Sequence, residues 1–277
     1  MRVAFEDEDV LRVASLPKQL ERLSLVPGDL VRTGPLDDER LVVSAREPRD
    51  SQVVRRTKGG RTKTMAANVD ALAIVAAFAH PPLYRAMLDE LLAFAQLQEL
   101  AAFAIFTKPD LVEPSVVAAT VALYGTLAKE TLVVHGLSGE GTAALAEALA
   151  GRRTLIVGQS GVGKSTLFGR LGGEGDVGEL SRFGRGRQTT SSGRLHRLRG
   201  GFLIDSPGVG EFALDGVAPA ELAAAFVDFR PHLGRCRFTD CRHAREPGCA
   251  IREAMRTGSI AESRFASYHE ILARADR

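Results

Sequence analysis

The chain has 277 residues, of which 45% are hydrophobic and 25% charged, and its net charge is +2 at pH 7. Single cores stop growing near ~250 residues, so two or three domains are expected; the composition excludes disordered and fibrous classes, and the charge balance alone does not announce a nucleic-acid partner. No run approaches the ~18 uncharged apolar residues of a membrane span, and the opening MRVAFEDEDV is acidic where a secretory leader is basic and then apolar, so a cytoplasmic protein without membrane association is expected; a monomer is expected as well.

The first 64 residues hold short β-like runs, DLVRTG, RLVVSA and SQVVRR, separated by Pro, Gly and Asp turns, and a small antiparallel barrel is expected over 1–64. Within it, Arg46 to Lys63 carries seven basic and two acidic residues. Such a stretch is either a contact for phosphate backbones or a solvated loop.

From Met65 the texture changes. Apolar runs of strand length, ALAIVAAF and AAFAIFTK, flank a leucine-rich helical stretch, LYRAMLDELLAFAQLQEL. A helical PSVVAATVALYGTLAK, a strand TLVVHG, a helical TAALAEALAG, a strand TLIVGQS and, after a polar gap, a strand GFLIDSPG follow. This alternation predicts βαβ units and a mostly parallel sheet, hence an α/β domain over 65–214. Beyond Glu211 the strands cease, and 215–277 reads as a helix PAELAAAFVDF, a cysteine-rich knot and a helical tail IREAMRTGSIAESRFASYHEILARA.

Within the α/β domain GQSGVGKST matches the phosphate-loop pattern G-x-x-x-x-G-K-[ST] through Gly158, Gln159, Ser160, Gly161, Val162, Gly163, Lys164, Ser165 and Thr166. A strand leads in and a helix can open after it, which is the confirming context. Glycines let successive backbone N–H groups turn toward phosphate oxygens at a helix N-terminus. Lys164 would reach the β- and γ-phosphates and the Ser165 hydroxyl would ligate Mg²⁺. Forty residues on, FLIDSPG supplies Asp205 for the Mg²⁺ side and Gly208, whose N–H can meet the γ-phosphate, although Asp-Ser-Pro-Gly alone is a good turn. In the polar RFGRGRQTTSSGRL between them, Thr190, or Thr189 less favourably, is the candidate to complete the Mg²⁺ shell.

TKPD, Thr107 to Asp110, lies ahead of the phosphate loop, whereas guanine-reading loops ordinarily follow it. Four loops, TKPD, HGLSGEG from His135, the phosphate loop and DSPG, each follow an apolar strand-length run. In a parallel sheet all four emerge at the carboxyl edge, where ligands bind, and their order along the chain does not matter. Asp110 can accept paired bonds from the two N–H groups of the guanine edge while Lys108 lays its stem along the base. Backbone N–H groups at His135 and Gly136 can meet the guanine carbonyl. The other reading of TKPD is a turn in which Asp110 caps a helix.

CRFTDCRHAREPGC places Cys236, Cys241, His243 and Cys249 together and contains all three cysteines of the chain. An odd count without a secretory leader argues against a disulfide framework. Three thiolates and an imidazole suit tetrahedral structural Zn²⁺; the alternative is reduced buried cysteines beside a surface histidine. Arginines recur from Arg235 to Arg256, a second candidate for phosphate-backbone contacts.

The order TKPD, HGLSGEG, GQSGVGKST, GRQTTSS, DSPG and then a cysteine knot resembles the circularly permuted GTPases that mature the small ribosomal subunit, the ribosome small-subunit-dependent GTPase A family. The resemblance runs from AANVDALAIV at Ala66 to the end, and more loosely into the N-terminal region. It implies an N-terminal OB-like β-barrel, a circularly permuted P-loop GTPase core and a C-terminal helical zinc-binding domain. It also implies GTP and GDP as ligands, Mg²⁺ with GTP, one structural Zn²⁺ on the Cys-x₄-Cys-x-His-x₅-Cys spacing, and the small ribosomal subunit and its rRNA as partners.

Departures from the family pattern are Thr107 for its usual Asn, His135-Gly136 for its Ser-Ala, and Gln188 for the histidine implicated in hydrolysis. Val209 after DSPG is apolar, as in GTPases without the familiar water-orienting glutamine, and Gln188 is the candidate for that role. Lys164, Gln188, Thr190 and Gly208 form the expected catalytic set. Competing readings are a P-loop ATPase or kinase without a ribosomal role, and a GTP-sensing RNA-binding module with vestigial hydrolysis. About four strands are readable in the N-terminal region against the five of an OB-fold.

Overall fold

In the computed structural model, which describes residues 2–4, 11–18, 24–36, 40–56, 62–172, 194–205, 214 and 216–275, the N-terminal strands form two sheets. β1 (Arg2–Ala4), β2 (Leu11–Ser15), β3 (Val31–Pro35) and β4 (Leu41–Arg46) lie in the order β1-β2-β4-β3, and β5 (Gln52–Arg56) pairs with β6 (Thr62–Ala67) as a separate hairpin. This is more β-structure than the readable runs indicate, because β1 and β2 flank the acidic stretch at the chain start. It is also not wholly antiparallel: β2 runs parallel to β4. Among the described residues no ladder joins the two sheets into a closed barrel. Asn68, buried just after β6, accepts the Asp50 N–H at 2.9 Å and donates to the Gly28 carbonyl at 2.9 Å, fastening this region to the start of the next.

The central sheet has six strands: β7 (Ala71–Ala77), β8 (Ala101–Thr107), β9 (Glu130–Val134), β10 (Arg153–Gly158), β11 (Arg194–Leu198) and β12 (Gly201–Asp205). Their spatial order is β11-β12-β10-β7-β8-β9. Every pair is parallel except β11 with β12. β7 is ALAIVAA and all its residues are buried, as a strand covered on both faces requires. β11, RLHRL, is a difference from expectation: as an edge strand rich in Arg and His it reads as part of the polar gap.

Chain progression explains the site. From β7 the chain moves outward through β8 to β9, then returns to β10 beside β7 and continues the other way to β12. The order therefore reverses between β7 and β10, and the crevice outside the carboxyl ends of strands at such a reversal is where an open sheet holds its ligand.

Helices α1 (Arg85–Leu97), α2 (Pro114–Tyr124), α3 (Thr142–Ala148) and α4 (Lys164–Leu171) cover this sheet. Alternate residues of each strand feed two cores. Leu72, Ile74, Phe106 and Leu155 pack with α1 and Tyr124 on one face, and Ala73, Val75, Phe103 and Ile156 pack with Leu145, Leu167 and Phe168 on the other. α2 ends at Tyr124, shorter than its apolar run, with Gly125 as its C-cap.

After α5 (Pro219–Ala225) the C-terminal part is helical, but its expected single tail is two helices, α6 (Ala250–Arg256) and α7 (Glu262–Ala275). Gly258 causes the break. It sits at φ 80°, the left-handed geometry that ends helices, and the Ser259 and Ile260 N–H groups turn back to the Ala254 carbonyl at 2.8 and 3.1 Å. α7 then lies against α1, joined by a buried ion cluster. The Arg264 guanidinium is 2.7 Å from Asp89 and 2.8 Å from Asp228, and it lies over the Phe226 ring at 4.3 Å. Burial works against its charge, but Asp89 and Asp228 outweigh it and hold Arg264 ionised.

Candidate nucleotide and metal sites

The phosphate loop joins β10 to α4 and bends where glycine alone is tolerated. Gly158 has φ 148°, and a Cβ there would stand 2.1 Å from the Val75 carbonyl of the neighbouring strand. Gly163, at φ 101°, turns the chain into α4. Lys164 Nζ donates to the carbonyls of Gly158 at 2.7 Å and Gln159 at 2.8 Å, so its ammonium sits across the mouth of the loop. Burial lowers the Lys164 pKa, and the charge of Asp205 opposes that shift. Ser160, Ser165 and Thr166 are exposed at the mouth, while Val162 anchors the loop in the core.

Asp205 ends β12, in register with Ile156 of β10, and so lies at the same sheet edge. Ser165 and Asp205 are the described residues suited to a magnesium ion accompanying a triphosphate, a hard cation that takes oxygen ligands. Gln188, Thr190 and Gly208, together with Thr189 and Val209, lie outside the described residues.

TKPD is fastened directly onto this loop. Buried Thr107, at the end of β8, donates from Oγ1 to the Val162 carbonyl at 2.6 Å, a bond reaching 55 residues along the chain. Lys108, in the left-handed region at φ 58°, donates from Nζ to the Gly161 carbonyl at 2.9 Å and to the His80 carbonyl. Asp110 lies on a short 3₁₀ turn, Pro109–Leu111, and does not cap α2, whose N-cap is Glu113. Its carboxylate is half exposed and faces His135, Nε2 to Oδ1 at 3.1 Å.

The loop after β9 closes on itself. The Gly139 N–H bonds the His135 carbonyl at 2.8 Å and the His135 N–H bonds the Glu140 carbonyl at 3.0 Å. Arg170, on the last turn of α4, donates from Nε to the Gly136 carbonyl at 2.6 Å and from a second guanidinium nitrogen to the Leu137 carbonyl. Carbonyls drawn toward Arg170 turn the N–H groups on the far side of those peptides away from it, as planar peptides require. Sequence reasoning missed Arg170 and the His80 carbonyl. Neither belongs to a motif, and their partners are 34 and 28 residues away along the chain.

The cysteine knot also assembles. Ligand atoms of Cys236, Cys241, His243 and Cys249 all lie within 4.8 Å of one another, with His243 Nδ1 3.6 Å from Cys236 Sγ and 3.5 Å from Cys249 Sγ. A tetrahedron built on zinc bond lengths of ~2.0–2.3 Å has edges of about 3.5–3.8 Å, which the two distances from His243 match, and all four ligand atoms lie close enough to share one ion. The cysteines are not paired as disulfides. Burial pushes the Cys241 thiol up to about 12 and the Cys249 thiol upward, and it lowers the His243 pKa. Thiolates become favourable in such a cluster when a divalent cation lies among them. The Ala250 N–H adds a bond to Cys236 Sγ at 3.3 Å, the outer support that fixes a metal ligand.

Comparison with known proteins bears on the fold and the family. A family model described as RsgA GTPase matches residues 46–215. A protein of Vibrio vulnificus (strain YJ016), named small ribosomal subunit biogenesis GTPase RsgA 1, is 41% identical over 238 residues, 83% of this chain and 67% of that protein. The small ribosomal subunit biogenesis GTPase RsgA of Pseudomonas syringae pv. tomato is 38% identical over 98% of this chain and 80% of its own. The crystal structure of YjeQ from Thermotoga maritima superposes with a TM-score of 0.74 at 25% identity, over 96% of this chain and 90% of that one. YloQ, described as a circularly permuted GTPase, superposes at 0.71 with 22% identity over 98% and 88% of the two chains, a likeness of fold.

Proposed function

The chain belongs to the RsgA GTPase family, and from that premise we propose that it hydrolyses GTP in the late maturation of the small ribosomal subunit and binds that subunit's rRNA in a nucleotide-dependent way. One observation carries the reading. The loop suited to guanine and the loop suited to phosphates are bonded to each other at one sheet edge, through Thr107 to Val162 and Lys108 to Gly161, so a guanine nucleotide spanning both meets a single rigid frame.

In this reading Asp110 pairs with the guanine edge, Lys108 lies along the base, and the backbone at His135 and Gly136 meets the guanine carbonyl. The N–H groups of Gly158 to Ser165 cradle the phosphates, and Lys164 leaves the Gly158 and Gln159 carbonyls for the β- and γ-phosphate oxygens. Ser165, Asp205 and Thr190 would hold Mg²⁺, which would supply charge neutralisation at the phosphates. Gln188 orients the attacking water and Gly208 senses the γ-phosphate. Little covalent chemistry falls to the protein; orientation and electrostatics do the work.

The domain limits are 1–64 for the OB-like region, 65–214 for the GTPase and 215–277 for the zinc domain. Cys236, Cys241, His243 and Cys249 hold a structural zinc, and the arginines from Arg235 to Arg256 meet RNA backbone. The protein acts as a monomer in the cytoplasm; among the described residues no helix is long and apolar enough to cross a membrane.

Steady-state hydrolysis of GTP and ATP by the purified chain tests the reading. GTP is expected to turn over and ATP not. Equal or faster ATP turnover supports a P-loop ATPase instead. Replacing Gln188 with Ala is expected to lower GTP turnover at unchanged GDP affinity, and an unchanged rate would remove Gln188 from the mechanism.

A further inference from the structure

The ring of His135 is engaged at both nitrogens, and each partner lies in one of the two loops at the base end of the site. The Ser138 N–H donates to Nδ1 at 3.1 Å, and Nε2 stands 3.1 Å from Asp110 Oδ1. A donor aimed at Nδ1 requires a lone pair there, so the neutral ring carries its hydrogen on Nε2 and donates it to the carboxylate. We propose that the His135 side chain is a positioning residue for base recognition, holding the Asp110 carboxylate in the plane that accepts the paired N–H groups of guanine. The inference rests on the guanine-nucleotide reading above and adds a side chain to it.

Asp110 needs such a brace. Its turn is three residues long, its side chain is 46% exposed, and an exposed carboxylate otherwise samples several rotamers. Recognition by paired hydrogen bonds is planar, so rotational freedom at Asp110 weakens it directly. Each carboxylate oxygen has two acceptor sites, and a bond from His135 on Oδ1 leaves one there and two on Oδ2.

His135 is itself held fast. Its N–H and its carbonyl both bond within the loop, to Glu140 and Gly139, and Arg170 grips the next two carbonyls. The brace therefore runs from α4 through the loop after β9 to the turn after β8, and it ends on the carboxylate that reads the base.

The test compares His135→Leu, which keeps bulk without a donor, with His135→Gln, which keeps an N–H at the reach of Nε2. Dissociation constants for GDP, for IDP, which lacks the 2-amino group, and for ADP are measured by titration of the full chain. Wild-type preference for GDP over ADP is what the underlying function requires; without it that reading fails on its own, whatever the variants do. The inference expects His135→Leu to bind GDP about tenfold more weakly, the scale of one lost hydrogen bond to a charged group. It also expects the GDP-to-IDP ratio to narrow, and His135→Gln to retain both affinity and ratio. Should Leu disturb the loop, the smaller His135→Ala makes the same comparison. A donorless variant that keeps the wild-type GDP-to-IDP ratio, or a Gln variant no better than Leu, overturns the proposal.

Discussion

Thr107 shows how one residue answers for another. The family resemblance leads to an asparagine here, and a threonine has no amide to offer. Yet its hydroxyl, buried at the end of β8, reaches the Val162 carbonyl at 2.6 Å and the Ala76 carbonyl at 3.3 Å, so the base loop is tied to the phosphate loop without an amide. Thr107→Val removes the donor without changing the volume and leaves a buried carbonyl unpaired, which costs about 1–3 kcal/mol. Chemical denaturation should show that loss, and titration should show GTP and GDP affinities falling together, whereas Thr107→Ser should retain both. Gly158 is less forgiving still. A methyl there would be 2.1 Å from the Val75 carbonyl, so Gly158→Ala must displace β10 from β7 and is expected to abolish nucleotide binding. Binding retained at wild-type strength would show that the loop does not need this close strand approach.

At the scale of elements, α4 joins the two ends of the site. Its first residue is Lys164, across the phosphate loop, and its last turn carries Arg170, which holds the Gly136 and Leu137 carbonyls. Arg170→Ala is expected to weaken GDP binding about tenfold while leaving binding of inorganic phosphate or pyrophosphate unchanged, because the loss is confined to the base end. Equal losses for GDP and pyrophosphate would place the effect in the phosphate loop instead. The phosphate loop was legible in the sequence because its requirements are contiguous: a strand, glycines at fixed places, Lys and Ser at a helix start. TKPD was legible because the end of an apolar run fixes its sheet edge whatever the chain order. The cysteine knot was legible for a similar reason, since its ligands lie within one short segment. Arg170 and the His135 ring were not, because their roles depend on how α4 and the turn after β8 pack against a loop distant in sequence. β11 escaped notice because an edge strand has no need of a continuous apolar run, whereas the break at Gly258 is written in Thr257-Gly258-Ser259, a helix-stop signal that the single-tail reading passed over because apolar residues continue on both sides of it. In the N-terminal region turn residues reveal strands, but the parallel pairing of β2 with β4 arises from contacts that local pattern does not encode.

Across the whole molecule, the C-terminal helices are tied to the GTPase core by a buried charge. Arg264 of α7 reaches Asp89 of α1, a residue 175 positions earlier, and Asp228 beside α5 completes the cluster. Removing one partner strands the others, so Arg264→Ala should destabilise the protein by about 3–5 kcal/mol, measured by denaturant unfolding. Replacing Arg264 and Asp89 together by Met and Leu should recover much of that loss; no recovery would show that the charges, rather than their pairing, are needed. Elemental analysis should find one zinc per chain, and chelation should reduce helicity and melting temperature; full retention of both would contradict a structural metal centre. In the proposed function Asp205 serves Mg²⁺ and Gly208 the γ-phosphate, and the chain runs on from them into this helical region, so a change at the phosphates would have a short covalent route toward the arginines of Arg235 to Arg256. The most direct measurement of the whole account is GTP turnover with and without purified small ribosomal subunits, using large subunits as the control. Turnover is expected to be slow alone and to rise with small subunits only. A rate indifferent to small subunits, or raised equally by both, would contradict it.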